Sequence, residues 1–455
     1  MASDTIVHFL SSGFDEPVRD PVWGTILLSP GLAELASCPS LVKMDGILQL
    51  GPAHLIYPGA THTRRAHSIG VCHTSRRLLL ALGEKGKIDF VSREGAASFL
   101  AAALCHDLGH FPFAHSLKEL PLTDHEVLTG REILNGRVRP FVEATGADPA
   151  MTAAIVDREL PDCGSREVRF FRGLLSGVLD PDKLDYLNRD AFFCGVPYGI
   201  QDSDFILRRV DVDKNDRLGV DERGIMSIEG MLFSKYLMYR SVYWHKSVRA
   251  ATAMIKKAVV LALADGILTG NDLYGLDDAG FFRLLSSYDY APFGLAREAG
   301  EGRIFQAVLD IPFDSSNPSH SRLLDLERRC GEEARLAESF SAAGRLYGSL
   351  DIIIDIPEAV SFESDMPVIS SEGGHSVPFS KSPTVFAPPV IAGFTGSLRR
   401  LRVLCRPAAR GAGGSPGGAP GGAPGGAPGS PEVDPLIAGI LRSTFMCGPD
   451  TRRKP

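Results

Sequence analysis

The chain has 455 residues, 44% hydrophobic and 23% charged, with a net charge of −7. These are globular values with room for two or three domains, and the acidic balance argues against nucleic-acid binding, which draws on a positive surface. Eight cysteines lie scattered with no CxxC pair, the pattern of reduced thiols in a cytoplasm rather than of a disulfide framework. The first ten residues lack the basic segment of a signal peptide. Apolar runs such as Ala258–Ala264 fall short of the ~20 residues that span a bilayer. A cytoplasmic location without membrane contact is the expectation.

Most of residues 30–265 reads as helix. His67 opens a helical pattern through Val71, Ser75, Leu78 and Leu82. Ser92 is a cap for an Ala/Leu-rich helix that runs into His106-Asp107, and Gly109 and Pro112 end it. Phe233 to Ala264 reads as one long amphipathic helix with Tyr236, Tyr239 and Tyr243 near one face. Beyond residue 265, helical pieces recur near Phe281–Tyr288 and Ser319–Phe340. Asp351–Pro357 reads as a short buried strand, with Val385-Phe386 and Leu401–Leu404 as partner strands and a helix from Pro389 to Leu398. Gly-Gly-Ala-Pro repeats make the following tract a flexible linker. Asp434–Phe445 is a candidate terminal helix. The expected architecture is mainly α: a helical core over 1–265, a smaller α+β lobe over 266–408, a linker over 409–432 and a tail over 433–455.

The chemistry concentrates at Leu104-Cys-His-Asp-Leu-Gly-His-Phe-Pro-Phe-Ala-His115. A lone histidine in an apolar helix is usually a satisfied core residue, and His54 and His73 read that way. His106 differs, because Asp107 follows directly and His110 and His115 lie close behind. Three imidazoles and a carboxylate at one helix end are costly to bury unless neutralised. A divalent cation does so, and imidazole nitrogen and carboxylate oxygen suit the same borderline-hard ions. His67 and Asp182 are further candidates, although spacing alone says little about them.

Three stretches together resemble the HD-domain phosphohydrolases, in the deoxynucleoside triphosphate triphosphohydrolase branch. Tyr57-Pro-Gly-Ala-Thr-His-Thr-Arg-Arg-Ala-His-Ser-Ile-Gly-Val71 resembles the first family motif, the His106-Asp107 stretch the second, and Leu179-Asp-Pro-Asp-Lys-Leu-Asp-Tyr-Leu-Asn-Arg-Asp190 the third. Arg19–Gly24 resembles an opening motif, with Trp23 where the family usually has His. The resemblance implies an HD-domain core in which His67, His106, Asp107 and Asp182 hold a divalent metal (iron, manganese, zinc, magnesium or nickel). It implies active-site roles for His110, His115 and His125, with His125 or His115 protonating the leaving 5′-oxygen. Arg64 and Lys183 match phosphate-contacting positions, and Lys235 matches a position commonly Arg. Gln49 and Leu50 match a segment lying against the sugar, and Tyr186, Asp190 and Tyr243 match residues around sugar and base. The implied reaction releases deoxynucleoside and inorganic triphosphate from a dNTP, in a homo-oligomer of two or four copies.

The chain also departs from the family. Arg65-Ala66 stands where many relatives have Phe-Glu, so metal affinity is expected to differ. Asp45 stands where the human member of the branch has an arginine of its regulatory guanine-nucleotide site. Activation by GTP is therefore expected to be absent or altered. Two other functions are compatible with these residues: hydrolysis of another nucleotide or phosphoester, and nucleotide sensing without catalysis.

Overall fold

The computed structural model describes residues 2–360, 362, 366–370, 375–407 and 434–446. Helices dominate and the strands are few and short, so the class is mainly α with a smaller α+β part. Two compact units divide the chain, and neither is continuous in sequence. One takes residues 1–245, 262–289 and 360–394; the other takes residues 246–261, 290–359 and 395–455.

The first unit is built on helices α1 (Arg64–Glu84), α2 (Arg93–Cys105), α3 (His125–Asn135), α4 (Pro181–Cys194), α5 (Ile225–Met238) and α6 (Asp278–Ser286). Helix α2 begins at Ser92, whose hydroxyl accepts the Gly95 N–H at 2.9 Å. Every residue from Gly95 to Cys105 is buried, because a helix apolar all round can only be an internal one. Phe99 stacks on Phe171 with centroids 4.8 Å apart. A short antiparallel hairpin, β1 (Glu16–Asp20) and β2 (Gly24–Leu28), precedes the helices. Its turn needs Gly24, at φ +76°, a conformation that side chains other than glycine's disfavour.

The expected single helix from Phe233 to Ala264 is interrupted. α5 ends at Met238, a π-helical turn takes Tyr239–Tyr243, and a new helix starts at Lys246. The Trp244 N–H reaches back five residues to the Tyr239 carbonyl at 2.9 Å. The extra residue turns the Tyr243 hydroxyl onto the Asp190 carboxylate at 2.6 Å. Such turns are rare overall but frequent at functional sites. They leave no mark on hydrophobic periodicity.

The second unit holds a three-stranded antiparallel sheet of β3 (Gln306–Pro312), β4 (Ile352–Asp355) and β5 (Arg400–Cys405), with β5 central. β4 is buried at all four positions, as its unbroken Ile run predicts. Helices α7 (Leu326–Ala342) and α8 (Pro435–Phe445) share one core with the sheet, through Leu336, Phe340, Ile354, Val403, Leu441 and Phe445. The expected strand at Val385-Phe386 is a loop instead. The Val385 N–H and the Thr384 hydroxyl both go to Glu229, and prolines 383, 388 and 389 deny a ladder its donors. The expected linker at 409–432 lies outside the described residues, and the candidate terminal helix is α8. Among the described residues no helix is long and apolar enough to cross a membrane.

Phe340 is fully buried in the second unit's core. Phe340→Ala should cost about 3–5 kcal/mol of that unit's stability, read as an earlier denaturant midpoint.

Candidate metal centre

α1 starts at Thr63, whose hydroxyl accepts the Ala66 N–H, and this cap places His67 on the buried face of the helix's first turn. His67 Nδ1 lies 2.8 Å from Asp185 Oδ2, and its Nε2 lies 2.9 Å from Asp182 Oδ1. His106 caps the C-terminus of α2, and its Nδ1 lies 2.9 Å from the Ala103 carbonyl. A carbonyl can only accept, so Nδ1 carries the proton and Nε2 is left with its lone pair. That Nε2 lies 3.5 Å from Asp107 Oδ1 and 3.8 Å from Asp182 Oδ1. One donor atom each from His67, His106 and Asp107 lies within 4.8 Å of the others. Asp182 joins them through its contacts with both imidazoles.

Electrostatics makes this a place for a cation. Burial alone would depress the His67 imidazole, but its hydrogen bonds to Asp182 and Asp185 outweigh burial and push it up to about 10. Burial would likewise raise Asp107, but the charges of His106, His110 and Arg64 hold it well below the usual carboxylate range. The Arg64 guanidinium, itself buried, lies 2.5 Å from Asp107 Oδ2. The side chains thus present two imidazole nitrogens and two carboxylates, a donor set that fits a divalent ion.

Three more imidazoles adjoin. His110 is fully buried, and neither ring nitrogen makes a hydrogen bond. Asp107 Oδ1 is 3.4 Å away. Burial, then Arg64, keeps His110 well below its ordinary pKa and therefore neutral. A buried imidazole without a partner is costly unless a ligand completes it. His125 opens α3 with its ring centroid 4.0 Å from that of His110 and its Nδ1 3.0 Å from Asp124. His115 is exposed, 4.6 Å from His110 between centroids. Donor atoms of Asp107, His110 and His125 also lie within 4.8 Å of one another. Gly109 lets the helices meet here: a Cβ on it would overlap the His125 carbonyl oxygen.

The cations expected at phosphate are engaged with the protein itself: Arg64 with Asp107, and Lys183 Nζ with Asp180 Oδ2 at 2.7 Å and the Gly177 carbonyl at 2.9 Å. Lys235 is buried, with its ammonium 5.5 Å from the centroid of Phe362. Asp190 is held by His62 Nε2 at 2.8 Å and the Tyr243 hydroxyl at 2.6 Å, and Tyr186 lies edge-on to Tyr243. The Gln49 N–H donates to the His62 carbonyl, and its buried Oε1 makes no hydrogen bond. Asp278 accepts the Leu48 N–H at 3.0 Å and so fixes the approach to Gln49 and Leu50.

Asp185, Arg189, His62 and Asp278 also shape the centre, beyond the residues expected from the sequence. Asp185 had a signal, since it lies one helical turn beyond Asp182 on the same face. His62 and Asp278 had none, because their partners are far away in the chain.

A family model described as "HD associated region" matches residues 202–385. An uncharacterized protein of Methanocaldococcus jannaschii, MJ1154, is 28% identical over 366 residues, covering 78% of this chain and 72% of that protein. The human deoxynucleoside triphosphate triphosphohydrolase SAMHD1 is 28% identical over 276 residues, covering 54% of this chain and 44% of that enzyme. Several further relatives are matched over about half of their length. The crystal structure of a phosphohydrolase from Bacteroides thetaiotaomicron shares the fold with a TM-score of 0.66 at 23% identity, covering 86% of this chain and all of that one.

At pH 7 the ion-free His67 holds a proton, because its pKa is raised to about 10. An entering ion must displace that proton. Affinity should therefore rise by about tenfold per pH unit as pH climbs toward the raised value, and level off above it. Calorimetry at pH 7 in buffers of different ionisation enthalpy should show about one proton released per ion bound.

Proposed function

We propose that this chain, which resembles the HD-domain phosphohydrolases and within them the deoxynucleoside triphosphate triphosphohydrolase branch, hydrolyses dNTPs to deoxynucleoside and inorganic triphosphate. The observation that carries the reading is the convergence of His67, His106 and Asp107 with Asp182, beside the buried His110, whose ring nitrogens make no hydrogen bond. His67, His106, Asp107 and Asp182 would hold the ion. What a divalent ion supplies when bound is a water of lowered pKa and polarisation of a phosphoryl oxygen.

The remaining work falls to the side chains around it. His110, neutral and without a partner, offers a ring nitrogen to a phosphate oxygen. His125 is the proton donor to the leaving 5′-oxygen. Its Nδ1 is held by Asp124, whose carboxyl that hydrogen bond keeps well below its usual range and so anionic. The ring's other nitrogen is then the donor, and the carboxylate stabilises the imidazolium. His115 stands exposed at the rim as the alternative donor. Arg64 places its charge beside Asp107, where negative charge on a phosphate would be balanced. Lys183 reaches phosphate by exchanging its contact with Asp180.

Selection of a deoxynucleoside rests on Gln49, whose buried oxygen awaits a donor such as a sugar hydroxyl, and on Leu50 beside it. Asp190, Tyr186 and Tyr243 form the further wall. A panel of dNTPs, NTPs, nucleoside monophosphates and cyclic dinucleotides, with products separated by chromatography, tests the substrate class. Release of triphosphate from dNTPs is the expected result, and turnover of other members alone would replace this reading. His106→Ala with Asp107→Ala should drop turnover to background, whereas His125→Gln should bind the ion normally and lose about 10²–10⁴-fold in rate.

The two departures from the family, Asp45 and Arg65, meet in space. Arg65 Nη1 lies 2.8 Å from Asp45 Oδ2, and Arg65 Nε donates to the Ala36 carbonyl. The carboxylate at 45 would repel a guanine nucleotide's phosphates, and the one cation beside it, Arg65, is already engaged by Asp45 and the Ala36 carbonyl. GTP should leave the dNTPase rate unchanged in steady-state assays.

A further inference from the structure

We propose that Trp23 is a positioning residue of the metal centre, acting through Asp185 on His67. The proposal rests on reading His67 as a ligand. Asp185 is fully buried and accepts four hydrogen bonds. Its Oδ1 takes the Trp23 indole N–H at 2.5 Å and Arg189 Nη2 at 2.9 Å. Its Oδ2 takes Arg189 Nε at 2.8 Å and His67 Nδ1 at 2.8 Å. Four donors fill the lone-pair sites of a carboxylate, so Asp185 has one orientation, and so has the imidazole it holds.

Asp20 closes the circuit. Its Oδ2 accepts Arg189 Nη1 at 2.8 Å, while its Oδ1 accepts the backbone N–H groups of Val22 at 2.8 Å and Trp23 at 2.9 Å. One residue therefore anchors the arginine and shapes the turn that presents the indole. The space is made by Gly70 on α1, where a Cβ would overlap both Asp185 Oδ1 and Arg189 Nη2. Asp20, Arg189 and Asp185 together carry one net negative charge, which a cation bound at His67 balances.

An indole is a donor only and has no second tautomer. At position 23 this chain thus has a group whose N–H cannot migrate to the far side of a ring. Asp185 is thereby kept an acceptor toward His67 Nδ1, and His67 Nε2 is left on the side of Asp182, where an ion would bind. Partners of this kind change metal affinity by about 10–100-fold when removed.

The test uses the full chain with Co(II) as probe. Affinity is measured by chelator competition and ligand geometry by the visible absorption bands. Trp23→Phe should bind Co(II) about 10–100-fold more weakly, with altered bands. Trp23→His, which restores a ring N–H, should recover most of the affinity. Unchanged affinity and bands in Trp23→Phe would overturn the proposal, as would Trp23→His binding no better than Trp23→Phe. A parent chain that does not take up Co(II) would instead sink the ligand reading itself. If Trp23→Phe does not fold, the parent chain still decides. Its Trp23 indole proton, resolved by NMR, should be slow to exchange and should shift when Zn(II) binds. A freely exchanging proton that Zn(II) leaves unmoved counts against the proposal.

Discussion

The contact between His67 Nδ1 and Asp185 is the interaction on which the site depends. It joins α1 to α4 across 118 residues of sequence, and it decides which imidazole nitrogen looks toward Asp182, His106 and Asp107. A buried carboxylate is tolerated only with full hydrogen bonding and an opposing charge. Both conditions are met by Arg189, which is why the largest fully buried side chain among the described residues is an arginine. The two helices can approach so closely because Gly70 stands where any larger residue would displace the carboxylate.

Around that contact the site is assembled from parts with opposite needs. The donors from α1, α2 and α4 concentrate negative charge and nitrogen lone pairs. Arg64, Arg189 and the raised His67 offset that charge in the ion-free protein. The His110 ring nitrogens and the Gln49 side-chain oxygen remain without hydrogen bonds inside the same unit. Unmet hydrogen-bonding capacity of this kind is expensive for folding alone and suits a ligand rich in oxygen atoms.

Much of this was legible in the chain. The Ser92 cap locates the start of α2, which ends at Cys105, ahead of the expected breakers Gly109 and Pro112, and the adjacency of His106 and Asp107 marks its end as chemical. The buried strand at Ile352–Asp355 and the helix Pro388–Leu398 follow from composition and proline placement. Some features were not legible, for physical reasons. The π-helical turn at Tyr239–Tyr243 adds one residue to a helix whose apolar pattern runs through it. The Val385-Phe386 segment has strand-forming residues, but Glu229, distant in sequence, takes its donors. Partners far apart in the chain likewise hid the roles of His62, Asp278 and Trp23. Local propensity cannot weigh a contact that only the fold creates.

One helix carries a great deal. Pro181–Cys194 bears Asp182 at the cation donors, Asp185 behind His67, and Asp190 beneath Tyr243. A rigid rod transmits any tilt or slide to all three at once. Drift in evolution that loosens one end would be felt at the other, so the geometry around His67 and that beneath Tyr243 are mechanically tied and cannot be tuned separately by moving this element.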